Sequence, residues 1–378
     1  DPTPTFTQEE PEEEETEEPT EEPTEELTEE PTLPLVVFTN PVIFDFSFFT
    51  PSEGWAVTKD GNHLLVTVDG GETWLEATPA GLYPLPPGVS SLHMHPFFLD
   101  ETTAWFVFNN AGSGVLYHTQ DSGVSWTMTS VPFDSARLFF LDLNSGFAMV
   151  SLGAGAGSHY YAIYRTSDGG VSWTEVFTHE PGEMKSLPES GSKNGITFRG
   201  VDSGWIGGSM PMDEFFYLYY TEDGGATWEQ EMDILLPGTF AGSMLDVRQP
   251  IFVSASTGYL PVRAMNPTGM PLLIYRSEDY GETWAYRGSI MDGKVVDFYA
   301  VDEGWTAAST GLFSTIDGGV TWSAVAASGI PAGEFFLDVD FVDSQHGWAL
   351  TTPDESTWEP LKFFRTTDGG VNWTQLLP

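Results

Sequence analysis

Thr166-Ser167-Asp168-Gly169-Gly170-Val171-Ser172-Trp173 is the motif on which the interpretation of this chain depends. The chain contains six relatives of it, and all seven fit the pattern Ser/Thr-x-Asp-x-Gly-x-Thr/Ser/Asn-Trp. Chance cannot supply that many copies in one chain. The other six run from Thr67 to Trp74, Thr119 to Trp126, Thr221 to Trp228, Ser277 to Trp284, Thr315 to Trp322 and Thr366 to Trp373. The chain is therefore an array of repeated units.

The chemistry of a tight turn explains this motif without any ligand. Glycines after the aspartate supply positive φ for a hairpin, and the carboxylate can accept backbone N–H bonds within its own turn. The hydroxyl residue can join that network, and the tryptophan can pack over the hairpin. We therefore interpret the motif residues as structural: Asp69, Asp121, Asp168, Asp223, Asp279, Asp317 and Asp368, with Trp74, Trp126, Trp173, Trp228, Trp284, Trp322 and Trp373.

A second register sets the size of the unit. A phenylalanine precedes an aromatic residue by seven positions in every copy, as in Phe48 and Trp55 or Phe341 and Trp348, and glycine stands before that aromatic in all copies but one, which has Ala104. Four short strands for each repeat, with no helical periodicity, predict an all-β, seven-bladed β-propeller with four-stranded antiparallel blades. The predicted blades are approximately 42–79, 92–131, 136–178, 194–233, 247–288, 294–327 and 335–378.

The propeller domain is expected to span residues 35–378, and two ways of closing its ring are open. Blade one can simply pack on blade seven. Alternatively, residues 35–38 add an outer strand to blade seven as a clasp.

Residues 1–34 are a different kind of polymer. They hold 15 acidic side chains and no basic one, with prolines recurring at a four-residue period. Like charges repel and almost nothing apolar is available to bury, so we expect a disordered acidic stalk or linker. The stalk either has no task beyond solvation or holds the folded body away from a surface, where it would allow lipid or surface anchoring.

Composition excludes several functions. No cysteine is present, so disulfides and thiolate metal sites are excluded, and we expect no metal and no cofactor. The formal charge of −43 argues against nucleic acid as a partner, because that needs a basic surface. No apolar run reaches the roughly 20 residues that span a bilayer. The sequence begins with Asp1 rather than Met, which is compatible with removal of a targeting peptide. We expect an extracytoplasmic protein, secreted or anchored at the cell surface, with a monomeric body.

The motif resembles the Asp-box, or bacterial neuraminidase repeat, of sialidases, xyloglucanases, sortilin-type receptors and photosystem II assembly factors. Gly-Trp followed by Thr-x-Asp-Gly-Gly-x-Thr-Trp is most similar to the photosystem group and its secreted bacterial relatives, over residues 42–378. The resemblance implies the propeller fold and places the Asp-box at the blade periphery. It does not select one function, because the group includes hydrolases, receptors and assembly chaperones.

Loop lengths indicate the binding face. The first-to-second and third-to-fourth connections of a blade share one face, here called the turn face, and their lengths are constant. The second-to-third and blade-to-blade connections share the opposite face, here called the loop face, and their lengths vary widely. We expect the loop face to bind a protein or glycan partner. Its longer connections are 151–161, 207–215, 261–272, 351–361, 79–91, 178–194 and 233–246. They carry an apolar set consisting of Met210, Met212, Met265, Met270, Tyr83, Tyr160, Phe215 and Trp358.

Side chains at the start of each first strand should line the channel mouth on the loop face. They are Asp45, His93, His95, Arg137, Lys193, Gln249 and Asp338, with Arg248, Lys294 and Glu334 close by. Basic residues are scarce in this chain, so a cluster of Arg137, Lys193, Arg248 and Arg263 would suit a carboxylate. The predicted ligand-binding residues are Arg137, Arg248, Arg263, Lys193, His93, His95 and Trp358. The plainer interpretation is that they are ordinary channel and loop side chains.

The expected function is non-catalytic binding or scaffolding. The alternative is a glycoside hydrolase, sialidase-like or other, that uses Asp338, Asp340 and Asp297 at the channel mouth as paired acid and base. Strand alternation points Asp338 and Asp340 the same way, about 7 Å apart. Sialidases with these repeats carry an Arg-Ile-Pro motif, which this chain lacks.

Overall fold

The structure is a computed structural model, and it describes residues 36–82, 94–110, 113–155, 157–180 and 184–377. Within these residues the only helices are two 3-10 turns, at Ala80–Leu82 and Gly238–Phe240, and twenty-nine strands form six antiparallel sheets. The first three sheets contain β1 (Ile43–Phe48), β2 (Gly54–Thr58), β3 (Leu64–Thr67), β4 (Leu75–Glu76), β5 (Phe97–Phe98), β6 (Ala104–Asn110), β7 (Ser113–Thr119), β8 (Thr127–Val131), β9 (Arg137–Phe140), β10 (Gly146–Gly155), β11 (Ser158–Thr166) and β12 (Thr174–Thr178).

A nine-stranded sheet follows. It contains β13 (Ser192–Phe198), β14 (Gly204–Asp213), β15 (Leu218–Thr221), β16 (Glu229–Gln230), β17 (Met244–Val247), β18 (Ile251–Phe252), β19 (Gly258–Met265), β20 (Leu272–Ser277) and β21 (Ala285–Ile290). The last two sheets contain β22 (Gly293–Phe298), β23 (Gly304–Ala308), β24 (Gly311–Thr315), β25 (Ser323–Val325), β26 (Phe335–Phe341), β27 (Gly347–Thr352), β28 (Lys362–Thr366) and β29 (Trp373–Leu377). The predicted all-β propeller is confirmed.

Strand β17 joins two blades and was not predicted. It pairs with β14 on one side and with β19 on the other. Without β17, the nine-stranded sheet divides into two four-strand units, β13–β16 and β18–β21, each ending on an Asp-box strand. We interpret them as two neighbouring blades joined by β17.

Stacked aromatic rings connect each blade to the next. The aromatic that opens the second strand of one blade lies on the phenylalanine that ends the first strand of the following blade, as Phe147 lies on Phe198 with centroids 3.4 Å apart. Trp205 and Phe252 also meet, but with their rings tilted by 41°. The other stacked pairs are Trp55 and Phe98, Trp105 and Phe140, Tyr259 and Phe298, Trp305 and Phe341, and Trp348 and Phe48. The last pair brings the chain back to its start and closes the ring.

The same packing explains the glycine before the aromatic. A Cβ atom at Gly54 would lie 2.6 Å from the ring of Phe48, and one at Gly347 would lie 2.4 Å from that of Phe341. Real Cβ atoms do not approach so closely, so in these blades glycine is what lets the phenylalanine ring lie against the second strand. Blade two has Ala104 at this position, paired with Phe98.

The seam between blades seven and one is held by side chains. The Phe48 ring stacks on Trp348 at 3.5 Å, and the Trp348 indole donates to the Gly70 carbonyl at 2.9 Å.

The predicted clasp, in which residues 35–38 add an outer strand to blade seven, is wrong. Residues 36–38 instead lie beside β4 of blade one, where the Phe38 amide donates to the Trp74 carbonyl at 2.8 Å and the Glu76 amide to the Val36 carbonyl at 2.9 Å. That edge of β4 was free to pair, and Leu35 lies outside the described residues.

Two of the expected long loops are extensions of strands. Strands β10 and β11 continue past the sheet as a hairpin down to Gly155 and Ser158, and β14 continues to Asp213. The hairpin satisfies its own backbone hydrogen bonds, and the β14 extension obtains its bonds from β17. Ordered strands therefore project from the loop face.

Candidate functional site

The Asp-box turns use their polar groups internally. In the turn at Asp168, Thr166 Oγ1 donates to Oδ1 at 2.8 Å, the Ser172 amide donates to Oδ1 at 2.9 Å, and Ser172 Oγ donates to Oδ2 at 2.6 Å. The Gly170 amide donates to Thr166 Oγ1 at 2.9 Å. The hydrogen bonds from Ser172 hold the pKa of Asp168 below its usual value. Equivalent bonds recur at Asp69, Asp121, Asp223, Asp279, Asp317 and Asp368.

A cavity of about 510 Å³ lies at the channel mouth on the loop face. It is here called the mouth cavity, and it is lined by Asp45, His95, Arg137, His159 and Tyr161 among others. Arg137 is exposed at the start of β9, and no described residue forms an ion pair or hydrogen bond with its guanidinium. In a chain whose basic side chains are mostly paired, this leaves an arginine with available donors facing a cavity.

His159 and Tyr161 had not been assigned to the mouth cavity from the sequence. The His159 ring lies between Ser151 Oγ, 3.0 Å from Nε2, and Tyr161 Oη, 3.0 Å from Nδ1. Burial lowers the pKa of His159, and the charges of Lys193 and Arg137 lower it further. The imidazole is therefore neutral at pH 7. The hairpin of β10 and β11 brings it there, and short-range sequence patterns do not show that contact.

Lys193 and Arg263 are already occupied. Lys193 is buried, and its ammonium donates to the carbonyls of His159 and Glu189 at 3.1 Å and of Ser190 at 3.2 Å. Burial lowers the pKa of Lys193 to about 8. Arg263 donates to the Lys294 carbonyl at 2.9 Å. These donors hold backbone segments, so the expected cluster of four cations around one ligand does not assemble.

Arg248 and Gln249 line a separate cavity of about 360 Å³ together with Lys294. Arg248 forms an ion pair with Asp246 at 3.1 Å, and Lys294 forms one with Glu355. Glu334 is nearly inaccessible, pairs with Lys362, and accepts a hydrogen bond from Thr351 at 3.0 Å. The basic side chains of this second cavity are thus neutralised by nearby carboxylates.

Three carboxylates line the channel wall between blades six, seven and one. The Phe341 amide donates to Asp297 at 2.7 Å, and the Phe48 amide donates to Asp340 at 2.6 Å, so each carboxylate links its blade to the next. Asp338 accepts from the Val339 amide at 2.9 Å. Burial raises the pKa of Asp297 and of Asp338 to about 7, and it raises the pKa of Asp340 as well. Each keeps partial contact with the channel space although protein surrounds it.

Trp358 lies on the loop face near the seam. Its side chain is 43% exposed, and its ring centroid is 5.8 Å from that of Phe44 in blade one. Lys59 of blade one donates to the Trp358 carbonyl at 2.9 Å and forms an ion pair with Glu359. The φ of 56° at Trp358 is uncommon for a bulky residue, so these contacts fix an otherwise unfavourable loop. His93 and Tyr83 lie outside the described residues.

A further cavity, of about 420 Å³, is lined by methionines from three strands. It is here called the methionine cavity, and its methionines are Met210 of β14, Met244 of β17 and Met265 of β19. The sequence had indicated Met210 and Met265 as loop residues. Met244 was missed, because the alternation of Met244-Leu245-Asp246-Val247 was not recognised as a strand.

No metal centre is visible in the parts of the chain that the structure describes. There, no three His, Asp or Glu side chains lie together in a way that could hold a metal ion. No described helix is long and apolar enough to cross a membrane.

The fold and its turns define an Asp-box β-propeller. The family model for the photosynthesis system II assembly factor YCF48 matches residues 26–193, and the chain resembles that factor. No curated protein matches it.

Solved structures agree on the fold. YCF48 bound to D1 peptide is 19% identical, with 89% of this chain and 93% of that chain covered and a TM-score of 0.53. YCF48 from Cyanidioschyzon merolae is 16% identical, with 88% and 97% covered and a TM-score of 0.50. An oligogalacturonate lyase in complex with manganese is 10% identical, with 87% and 90% covered and a TM-score of 0.58. At these identities the likeness extends to the fold alone.

Proposed function

We propose that this chain is a non-catalytic binding propeller that presents its loop face to a protein partner outside the cytoplasm. The observation that carries the proposal is the difference between the faces. The turn face repeats one set of internal hydrogen bonds, whereas the loop face carries projecting strands, open cavities and exposed Trp358. Unique exposed features on a rigid scaffold are where binding residues concentrate. The solved YCF48 with its D1 peptide supports a protein as the partner.

Contacts at the channel wall favour binding over catalysis. Asp297 and Asp340 each accept a backbone amide from the neighbouring blade, so both have a structural task. A glycosidase needs one carboxylate free to attack or to activate water. Asp338 accepts only from the amide of the next residue, so the glycoside hydrolase alternative would have to pair it with a carboxylate that already joins two blades.

The proposed location outside the cytoplasm rests on the composition of residues 1–34. An acidic segment rich in threonine and proline suits a spacer between an anchor and a folded body. Protease treatment of intact source cells checks this point. We expect the protein to be digested while cytoplasmic markers survive, and protection equal to that of the markers would contradict the location.

Site-specific photo-cross-linking in source cells tests the binding proposal with the full chain. A photoreactive residue is placed at Leu152 or Met270 on the loop face, and at Val171 or Ile316 on the turn face as matched exposed controls. We expect one discrete protein adduct from the loop face and none from the turn face. Adducts that are equal from both faces would contradict the proposal, and a loop-face adduct with polysaccharide would make the partner a glycan.

The mouth cavity supports a second candidate, binding of a small carboxylate. The observation is Arg137, whose guanidinium faces the cavity without a described partner and can hold a carboxylate in a bidentate manner. Isothermal titration with glucuronate and with an N-acetyl amino acid, each against its uncharged amide, tests it. We expect heat from a carboxylate that disappears in Arg137→Gln. Equal heats from the acid and the amide would contradict the candidate.

A further inference from the structure

Strand β17 brings methionines from separate blades into one surface. Met244 of β17 stands opposite Met265 of β19 in the strand register, and it stands opposite Asp213 of β14 on the other side. Met210 lies three residues before Asp213 on the same extended strand. Because this bridging strand occurs once among the described residues, the surface is no product of the repeat.

The methionine cavity is open to an incoming chain. Met244 is exposed, and Met210 and Met265 are half-buried at the wall. Exposed Met212 follows Met210 by two residues on β14. Unbranched thioether side chains adjust their shape to an apolar partner, which is why methionine recurs at binding surfaces that must accommodate side chains.

The hairpin of β10 and β11 forms another wall of the cavity. Gly155 and Gly157 line it, and a Cβ atom at either position would meet no other atom within 4 Å. No neighbouring atom covers these two glycines on the side where a side chain would stand, so the wall does not close over the methionines.

The rim of the methionine cavity is acidic. Asp213 and Glu214 are exposed at the end of β14, where Asp213 stands opposite Met244 in the strand register. Among the nearest cations, Arg248 is paired with Asp246, whereas Lys193 and Arg137 place positive charge beside His159 in the hairpin wall. The acidic part of the rim is therefore at the end of β14. An apolar cavity with this rim complements a partner that is apolar at its centre and basic at its flanks.

We infer that the methionine cavity binds an extended segment of a partner protein in which a large apolar side chain is flanked by lysine or arginine. This inference rests on the proposed function and names the chemistry of its partner. The chain's own residues 1–34 do not fit, since they hold 15 acidic side chains and no basic one. A second copy fits poorly, because residues 35–378 carry a formal charge of −28, the −43 of the chain without those 15.

Methyl NMR of the full chain tests the inference, because its 11 methionines can be labelled at the ε-methyl carbon. Three synthetic peptides serve as probes: a phenylalanine flanked by lysines, the same residue flanked by glutamates, and a serine flanked by lysines. We expect the first peptide to shift the signals of Met210, Met244 and Met265 while those of Met128 and Met232 stay fixed. The other two peptides should bind at least about tenfold more weakly.

Variants separate the apolar and the charged contributions. The double variant Met210→Gln with Met265→Gln should weaken binding of the lysine-flanked peptide by about tenfold or more, whereas Met232→Gln on exposed surface elsewhere should not. Asp213→Asn should weaken it severalfold at low salt, and this difference should disappear at high salt. Signals of the untouched methionines report whether each variant is folded.

Each other result overturns the inference. Equal binding of the glutamate-flanked peptide would show that the acidic rim does not select a basic partner. Shifts confined to Met128 or Met232, or no shifts at all, would show that the methionine cavity is not the binding site. If the methionine signals shift with protein concentration in the absence of peptide, a second copy of the chain occupies the cavity. The proposed function is judged separately by cross-linking from Leu152 and Met270, so a discrete partner adduct with an unaffected methionine cavity would leave that function standing.

Discussion

The two faces of the propeller differ in how regular their connections are. On the turn face, seven hairpins of one length hold aspartates whose oxygens are satisfied by their own turns. On the loop face, strands overrun the sheet, β17 joins two blades, and Arg137 and the methionine cavity remain open. Repeated residues are therefore those that the fold requires, whereas features that occur once are candidates for contact with a partner.

The largest effect should come from removing a ring that joins blades. Trp348 is fully buried, stacks on Phe48 at the seam and donates to the Gly70 carbonyl. We expect Trp348→Ala to cost about 3–5 kcal/mol of unfolding free energy, measured by urea denaturation. Trp358→Ala, the matched change on the loop face, should cost less than about 1 kcal/mol. Equal losses would break the distinction between the faces.

The channel wall should make stability depend on pH. The pKa values of Asp297 and Asp338 are raised to about 7 in the folded state, so between about pH 4 and 7 the folded state holds more protons than the unfolded state. Stability should therefore fall as pH rises through this window, by up to about 1.4 kcal/mol per pH unit for each group. The Asp-box carboxylates have lowered pKa values, so they make stability increase with pH, and they do so only below about pH 4.

Urea denaturation across pH 4.5–8 measures this slope. Asp338→Asn removes a titrating group and should flatten the slope, whereas Asp168→Asn in a turn should leave it unchanged over the same range. An identical slope in Asp338→Asn and in the unaltered chain would show that Asp338 does not hold a proton when folded in this range.

A single Asp-box should contribute less than a ring at the seam. Asp168→Ala leaves the Ser172 amide and hydroxyl without their acceptor, which should cost about 1–2 kcal/mol of unfolding free energy. Affinity for a loop-face partner should not change. A loss of affinity with unchanged stability would assign this turn a binding role.

The smallest stability change, with the clearest change in binding, is expected on the loop face. Asp213 is exposed at the end of β14, so Asp213→Asn should alter unfolding free energy by less than about 0.5 kcal/mol. Affinity for a basic partner should fall, as judged by titration calorimetry at low salt. Stability loss comparable to that of Asp168→Ala would make Asp213 a structural residue.

The sequence could predict the parts of the fold that depend on local chemistry. Turn residues such as Thr166, Asp168 and Ser172 determine their own hydrogen bonds, so the spacing alone was sufficient. The position of glycine before the aromatic was also visible, although the reason, a phenylalanine ring less than 3 Å from a Cβ at Gly54, is evident only from the structure.

The site depended on contacts between distant residues and could be predicted only in part. Arg137 and His95 were placed at the channel mouth from their register, but His159 reaches it through a hairpin whose length the sequence did not define. Met244 was missed because the short strand β17 gains its partners from two blades. Residues 36–38 were assigned to the wrong blade as one of two alternatives, since both outer edges could have accepted them.

Hydrogen–deuterium exchange of the full chain, with and without the partner captured by cross-linking, shows which face of the propeller the partner covers. Exchange of backbone amides reports which segments become protected on binding. We expect slower exchange in segments 151–160, 207–215 and 351–361 on the loop face, with the seven Asp-box turns unchanged. Protection concentrated in the turns, with the loop-face segments exchanging as before, would contradict the claim.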